Sequence, residues 1–427
     1  MLKLEYIFLV GSIALIGADR IDLLGGRGFF RLTPFLFFAS LVVIIRVLVV
    51  ALDGKAKVVI HPPFRRQIPF VVVWALFLFL AVISTILGED PQRGVVALCG
   101  LILVSGLAFC ISLRILADPD PEKLVVRSVM FACIVWLIFC VGGVIAWKNG
   151  VYRLQEEAAT SLASMFAPTA TLYWIPRLSG YCLDSNRAGF ILVMYLALLD
   201  RFAFNKRSTH LLRFAIGCFI LVAVSRSAML CWFVYYLFSS GFWKRLVTRR
   251  AALKLATVTV FLLAIAVVYR EKIATLAELW QISDMISDRL SSDPTGTAGS
   301  HLQLIERGFS TWTTSTRTVV AGIGFAGSPR VLSDFFGDNK YGNFHDLYVS
   351  VLAELGLPAF LLLLVMLGYP AVKRKNAVPF IAAIAIFNVF LQSFLEPIFW
   401  VTIALVWSFE LKGTQSSNLA SGSASTA

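Results

Sequence analysis

Long apolar runs recur along almost the whole chain, and they constrain its fold more than any other feature. Examples are the runs from Val71 to Leu87 and from Val258 to Val268. The 427 residues are 58% hydrophobic and only 15% charged, whereas a soluble domain has about 25% charged residues. We therefore expect an all-α polytopic membrane protein.

The apolar runs divide into segments that match the bilayer. A span needs about 20 apolar residues, and fewer where neighbouring helices cover it. The stretch MLKLEYIFLV lacks a small-residue cleavage site, so we expect the first run to be a span and not a cleaved signal. The sequence predicts about 12 transmembrane helices, at 4–18, 30–51, 69–88, 94–113, 128–147, 188–203, 214–224, 228–242, 254–269, 346–369, 377–392 and 397–411.

Basic residues are concentrated in five of the connecting loops. With the predicted spans, these loops fall on one side together with both termini, and the positive-inside rule makes that side cytoplasmic. This distribution accounts for the net charge of +13, so we expect no nucleic-acid partner. The basic residues are Lys55, Lys57, Arg65, Arg66, Lys123, Arg127, Lys206, Arg207, Arg213, Lys244, Arg245, Arg249, Arg250, Lys373, Arg374 and Lys375.

The stretch from Phe214 to Phe238 is long enough for one tilted helix, but both of its flanks are basic. A hairpin of two short arms keeps both flanks on the same side. We therefore predict a hairpin with Ser225, Arg226 and Ser227 at its turn. Each arm of about 12 residues is roughly 18 Å long, which places Arg226 below the outer membrane surface, facing a polar cavity. The alternative is an arginine that caps a helix and reaches the interface.

These predictions describe a single integral membrane domain over 1–411, with periplasmic segments at 148–187 and 270–345. The second segment is a large helical loop between the ninth and tenth spans, and the tail over 412–427 is expected to be disordered and cytoplasmic.

The outer face collects several arginines and two histidines near the ends of apolar helices. The planar guanidinium of arginine suits a diphosphate, because it donates two parallel hydrogen bonds. Histidine is suited to accept a proton near neutral pH. Such a site holds a phosphate leaving group and deprotonates an incoming hydroxyl. Neither the seven cysteines nor the Asp118–Asp120 pair is expected to bind a metal, and no cofactor is expected.

Four stretches resemble the bacterial O-antigen ligase and O-antigen polymerase superfamily. They are RLSGYCLDSNRAG (177–189), VSRSAML (224–230), VAGIGFAG (320–327) and NFHDLYVSVLAELGLPAF (343–360). Each is weak alone, and their order and spacing carry the resemblance. The first half of the chain contributes only its number of spans.

The resemblance implies a metal-independent, inverting glycosyltransferase of the bacterial inner membrane. Its donor is a glycan on undecaprenyl diphosphate, and its acceptor is another glycan or the lipid A core, reached at the periplasmic face. The resemblance implies that Arg177 and Arg226 bind the diphosphate and that His345 is the catalytic base. Arg307 or His301 takes the place of an arginine that relatives often carry in the large loop.

Three further residues are expected to support the site. Asn186 belongs to the first motif. Asp346 stands where many relatives have Asn, and it is expected to raise the pKa of His345. Glu354 lies nine residues further along, roughly opposite His345 on a helix, so it is expected to pair with a buried polar group instead of sharing the proton transfer.

Two alternatives from other classes stay open at this stage. A lipid-linked oligosaccharide flippase or another polysaccharide transporter also has many spans, although such proteins usually have short external loops and two related halves. An envelope assembly protein is the other alternative. Within the family, the motifs do not separate a ligase from a polymerase.

Overall fold

The structure is a computed structural model. It describes residues 2–23, 32–52, 62–152, 162–168, 171–172, 175–203, 208–240, 297–336, 342–374 and 376–410. Its helices are α1 (Leu2–Ala14), α2 (Pro34–Leu52), α3 (Pro62–Leu87), α4 (Pro91–Ala117), α5 (Pro121–Lys148), α6 (Leu162–Phe166), α7 (Ser185–Phe202), α8 (Ser208–Val222), α9 (Arg226–Ser239), α10 (Thr297–Trp312), α11 (Thr316–Ala321), α12 (Ser328–Phe336), α13 (Leu347–Lys373), α14 (Val378–Phe387) and α15 (Pro397–Trp407).

Several of these helices are suited to cross a bilayer. Five are long and apolar enough by themselves: α2, the part of α3 from Gln67 to Leu87, α4, α5 and α13. Shorter apolar helices cover Thr209–Val222, Val378–Phe387 and Pro397–Trp407. The chain is therefore a helical, multi-pass membrane protein. The count of twelve spans stays a prediction. The expected ninth span at 254–269, the loop residues 270–296 and the tail at 412–427 lie outside the described residues.

A very small β-ladder is present among the described residues of this otherwise helical chain. β1 (Thr171–Leu172) pairs antiparallel with β2 (Ile175–Pro176). The ladder lies in the segment between α6 and α7, just before Arg177.

Two of the longest helices begin at an Asp-Pro pair. Asp90 and Asp120 each accept a hydrogen bond from a backbone N–H in the first turn, of α4 and α5 respectively. Proline at the first helical position has no N–H to leave unpaired. The carboxylate of Asp118 accepts a hydrogen bond from the N–H of Asp120, at 2.9 Å. The two aspartates of the DPD stretch thus organise the start of a helix.

The predicted hairpin is present as two helices. α8 and α9 are separated by a turn at 223–225, and Arg226 is the first residue of α9. The hydroxyl of Ser225 caps α9 by accepting a hydrogen bond from the N–H of Ala228, at 3.2 Å. Arg226 therefore lies at a helix start that faces the same region as the segment before α7, because the N–H of Leu178 donates to the carbonyl of Val222.

The predicted span at 377–392 is too long. α14 ends at Phe387, because the side chain of Asn388 turns back to the carbonyl of Ile384 and accepts hydrogen bonds from Ser393. The carbonyl of Asn388 also accepts a hydrogen bond from the N–H of Leu347. The turn between α14 and α15 is thus fixed to the start of α13.

Short helices and long helices pack side by side, and this creates a recess. Glu5 and Arg114 form an ion pair at 2.6 Å, so they lie at the same level of α1 and α4. From that level α4 runs back 23 residues to Pro91, about 35 Å, whereas α1 runs only 9 residues to Ala14, about 14 Å. The start of α4 therefore rises about 20 Å beyond the end of α1.

The start of α15 lies in the same recess. The hydroxyl of Ser112 on α4 donates to the carbonyl of Val401 at 3.1 Å, which aligns the two helices. Pro397 is then beside the middle of α4, far below its start. The step of about 20 Å between α4 and α1 is a large part of the hydrocarbon core of a bilayer, which is about 30 Å thick.

Candidate functional site

The first predicted motif is held by Asp184 and Asn186 at the start of α7. The carboxylate of Asp184 accepts hydrogen bonds from the N–H groups of Asn186 and Arg187, both at 2.8 Å. The side-chain oxygen of Asn186 accepts from the guanidinium of Arg177 at 3.2 Å and from the hydroxyl of Ser225 at 2.7 Å. Asn186 therefore joins Arg177 to the hairpin turn that carries Arg226.

The large loop brings two histidines together. His301 lies on α10 and His345 lies just before α13, yet their ring centroids are 5.0 Å apart and the rings are nearly perpendicular. His301 is also near Arg226. Burial and the charge of Arg226 both lower the pKa of His301. The histidine pair thus lies beside the hairpin turn.

His345 has an unusual backbone conformation. Its φ is 54°, in the left-handed region, where non-glycine residues are uncommon. The side-chain oxygen of Asn343 accepts a hydrogen bond from the N–H of His345 at 2.8 Å and holds this turn in place. Strained backbone of this kind is concentrated at functional sites.

The environment of His345 keeps its ring neutral. Burial and, to a smaller extent, His301 lower the pKa of His345 to about 4, although Asp184 acts in the opposite direction. Asp346 was expected to raise the pKa of His345, but the net shift is downward, because burial and His301 outweigh the opposing effect of Asp184. A neutral imidazole is the form that accepts a proton.

Asp346 caps a helix. Its carboxylate accepts a hydrogen bond from the N–H of Val349 at 2.8 Å, in the first turn of α13. Burial raises the pKa of Asp346, while hydrogen bonds from the backbone oppose the shift. Its contribution to the site is to fix the point at which α13 begins, two residues after His345.

Glu354 pairs with the backbone of the glycine-rich segment 320–327. Its carboxylate accepts from the N–H of Ala326 at 3.0 Å and from the N–H of Ser328 at 3.3 Å. The premise that Glu354 and His345 share a helix is wrong, since α13 begins at Leu347. Glu354 anchors the loop and is separate from the histidine pair.

Two glycines make this docking possible. Gly356 interrupts α13 with a φ of 80°, and a Cβ there would lie 2.3 Å from the carbonyl oxygen of Val320. Gly322 has a φ of 71°, and a Cβ there would lie 2.2 Å from the carbonyl of Glu354. The N–H of Ile323 and the N–H of Gly324 donate to carbonyls of α13 across this close approach. The Gly–x–Gly and Glu–x–Gly stretches therefore fit each other.

Arg307 packs against the neighbouring helix α12. Its guanidinium lies over the ring of Phe335, 4.9 Å from the ring centroid. The described contact connects α10 to α12. Of the two loop residues proposed from the sequence, His301 is the one whose contacts join the cluster that contains Arg226 and His345.

Two further arginines organise the same face: Arg20, which the sequence did not single out, and Arg187, for which the sequence favoured a headgroup contact. Arg20 is buried, and its guanidinium donates to the carbonyls of Ala167 at 2.6 Å and Cys182 at 2.7 Å. Arg187 forms ion pairs with Asp19 and with Glu396, the latter at 2.6 Å. The stretch GADRID (17–22) carries the signal that could have revealed both, because charged residues so close to a short span need partners.

A large cavity lies next to this cluster. Its volume is about 1050 Å³, the size of a site for a substantial ligand. The walls come from the turn after α1, the beginnings of α2, α4, α7 and α15, and the loop before His345. Asn343 and Arg187 line the cavity, and they lie next to His345 and Asn186 respectively. The cavity and the arginine–histidine cluster thus share a wall.

Comparison with known proteins does not assign the chain. No family model matches it, and no curated protein matches it.

Proposed function

We propose that the chain is a glycosyltransferase that moves a glycan from undecaprenyl diphosphate to a sugar hydroxyl at the periplasmic face of the bacterial inner membrane. In this proposal both termini are cytoplasmic and the recess opens to the periplasm. The observation that carries the proposal is the meeting of Arg177, Arg226 and two histidines. These residues come from four separate segments and are joined through Asn186 and the His301–His345 pair.

The chemistry assigns a part to each side chain. The diphosphate lies against Arg177 and Arg226, whose positive charge stabilises the negative charge that develops on the leaving group. His345 accepts the proton of the acceptor hydroxyl while the oxygen of that hydroxyl attacks the anomeric carbon. The bond from that carbon to the diphosphate oxygen breaks, and the electron pair leaves with the diphosphate. Attack from the opposite side inverts the anomeric centre.

His301 adds a second imidazole to the phosphate side of the site. Burial and the charge of Arg226 lower its pKa. A bound diphosphate brings negative charge, which favours protonation of a nearby imidazole. We assign His301 the position of the loop arginine in the related family.

The experiment uses the purified full chain in liposomes with an undecaprenyl-diphosphate-linked glycan. We expect release of undecaprenyl diphosphate and formation of a new glycosidic bond. Chain growth with lipid-linked glycan alone indicates a polymerase, and transfer only after lipid A core is added indicates a ligase. Movement of the lipid-linked glycan across the bilayer without bond formation would identify a flippase and overturn the proposal.

The catalytic variant is His345→Asn, because asparagine tolerates the left-handed backbone that His345 adopts. General-base catalysis contributes about 10²–10⁴-fold, so we expect a loss of turnover of at least about 100-fold. The matched control is Arg317→Ala, an exposed arginine at α11 with wild-type activity expected. Wild-type turnover in His345→Asn at normal expression would remove His345 from the reaction.

A further inference from the structure

The large cavity beside the arginine–histidine cluster presents two kinds of surface. One face of α4 supplies an apolar strip, formed by Val96, Ala97, Gly100 and Val104. These residues recur every three or four positions, so they share one side of the helix. The strip begins near the start of α4 and runs downward along the recess.

The second surface is polar, and it carries more carboxylates than cationic side chains. Three amide side chains, Gln92, Gln392 and Asn343, line the cavity, and four carboxylates line it against two arginines. Arg187 is already paired with Asp19 and Glu396. A second diphosphate would meet this excess of carboxylates, whereas sugar hydroxyls hydrogen-bond to carboxylates and amides alike.

The position of the cavity links it to the reaction. Asn343 lines the cavity and accepts the N–H of His345. Arg187 lines the cavity and follows Asn186, which binds Arg177. The cavity therefore lies beside the proposed donor site.

From these observations we infer that the cavity is the acceptor site and takes a glycan carried on a hydrocarbon chain. The chain lies along the strip on α4, and the sugar meets Gln392 and Asn343. This inference rests on the proposed function for the reaction, but the cavity makes its own binding prediction. Charge distinguishes the two sites. The diphosphate of the donor binds the arginines, and the sugar of the acceptor binds the acidic and amide surface.

Gly100 provides a direct way to fill the strip. A Cβ at Gly100 would have no atom within 4 Å, and the same holds for Gly106, six residues further along α4 and outside the cavity lining. Both positions therefore have open space where a larger side chain would begin. Gly100→Leu blocks the strip, and Gly106→Leu is the matched control.

The test measures binding of two fluorescent probes to the full chain in phosphatidylglycerol nanodiscs. One probe is a neutral prenyl glycoside, and the other is prenyl diphosphate without a sugar. We expect Gly100→Leu to weaken binding of the glycoside at least tenfold and Gly106→Leu to change it less than twofold. The Arg177→Ala/Arg226→Ala double variant should still bind the prenyl glycoside but should no longer bind prenyl diphosphate.

A second variant separates recognition of the sugar from recognition of the chain. Gln392→Ala should weaken binding of the glycoside but not of a prenyl alcohol. The inference is overturned if Gly100→Leu binds the glycoside as the wild type does, or if phosphatidylglycerol competes with it equally. Retention of prenyl diphosphate by the arginine double variant would contradict the proposed function and leave the acceptor site standing.

Discussion

His345 is the residue whose titration most directly reports the proposed chemistry. Its pKa is lowered to about 4 by burial and by His301, so its ring is neutral above that pH and protonated below it. We expect kcat/KM to stay level from about pH 5.5 to 7.5 and to fall only as the pH approaches the lowered pKa, since kcat/KM reports the free enzyme. The measurement is transfer in liposomes across this range.

His301 offers the control for that profile. Because His301 lowers the pKa of His345, His301→Gln should move the acidic limb of kcat/KM to higher pH. The control is Glu306→Gln, which changes an exposed residue of the same helix and should leave the acidic limb of kcat/KM unchanged. An acidic limb near pH 6.5 in the wild type, the range of an unperturbed histidine, would contradict the assignment.

Glu354 gives a stability prediction of its own. Its buried carboxylate accepts two backbone N–H groups, and an amide in its place directs its NH₂ group toward one of these donors. Leaving a buried donor unsatisfied costs about 1–3 kcal/mol. We expect Glu354→Gln to lower the free energy of unfolding by that amount, measured by thermal unfolding in nanodiscs. An equal loss in Glu306→Gln, an exposed glutamate, would show that the loop docking is not the cause.

Residues of the site could be proposed from sequence because they stand in short motifs, but their surroundings could not. The direction of the His345 pKa shift depends on burial and on His301, which is 44 positions away. The partners of Glu354 could not be predicted, because they are backbone N–H groups of segment 320–328, which folds back on α13.

Two elements, α13 and the glycine-rich segment, fit because glycine stands at both points of closest approach. Gly356→Ala would place a methyl group 2.3 Å from the oxygen of Val320 at a φ of 80°. We expect a loss of several kcal/mol and detachment of segment 320–328, measured as thermal unfolding and as faster hydrogen exchange at Gly324. Left-handed backbone adds to the cost, because an L residue is strained there.

Gly368 is the control for this prediction, since it lies in the same helix with open space around it. Alanine there should be neutral or stabilising by about 0.5–1 kcal/mol, because glycine weakens a helix interior. Equal destabilisation by both substitutions would show that the effect is general to α13.

At the scale of elements, local signals were enough for some features. The basic flanks of the α8–α9 stretch indicated a hairpin. The Asp-Pro pairs at Asp90 and Asp120 are typical of helix starts, but they were not among the sequence predictions. The break of α13 at Gly356 and the early end of α14 at Asn388 arise from contacts with other segments. Apolar periodicity alone does not contain that information.

At the scale of the whole molecule, one charged cluster joins α7 to the turn after α1 and to the start of α15. In this cluster Arg187 lies between Asp19 and Glu396. Removing the arginine leaves two carboxylates together in the recess. We expect Arg187→Met to lower the free energy of unfolding by about 1–3 kcal/mol at pH 8. Thermal unfolding measures this, with the exposed Arg317→Met as control.

The loss should be smaller at lower pH. Burial raises the pKa of Glu396 to about 7, and Arg187 opposes that shift, so removing Arg187 raises the pKa further. At pH 5.5 the carboxyl of Glu396 is then protonated and carries no charge, which removes most of the repulsion. An identical loss at pH 5.5 and pH 8 would rule out this electrostatic account.

The position of Arg226 at a helix start was partly predictable, since the basic flanks of its stretch implied a hairpin. The cluster around Arg187 was not, because its partners come from the first turn after α1 and from the start of α15. Such pairings are set by how the helices are arranged, and one sequence without that arrangement favours a headgroup contact for Arg187 equally well.

Several helices begin on the side of the molecule where the histidines lie, and the way they are capped has an electrical consequence. A helix start carries a fractional positive charge. Aspartates neutralise this charge at α4, α7 and α13, whereas the uncharged Ser225 caps α9. In the proposed orientation, the start of α9 would therefore attract a lipid phosphate more strongly than the starts of α4, α7 and α13, before any side chain touches the phosphate. Added salt should slow its capture there.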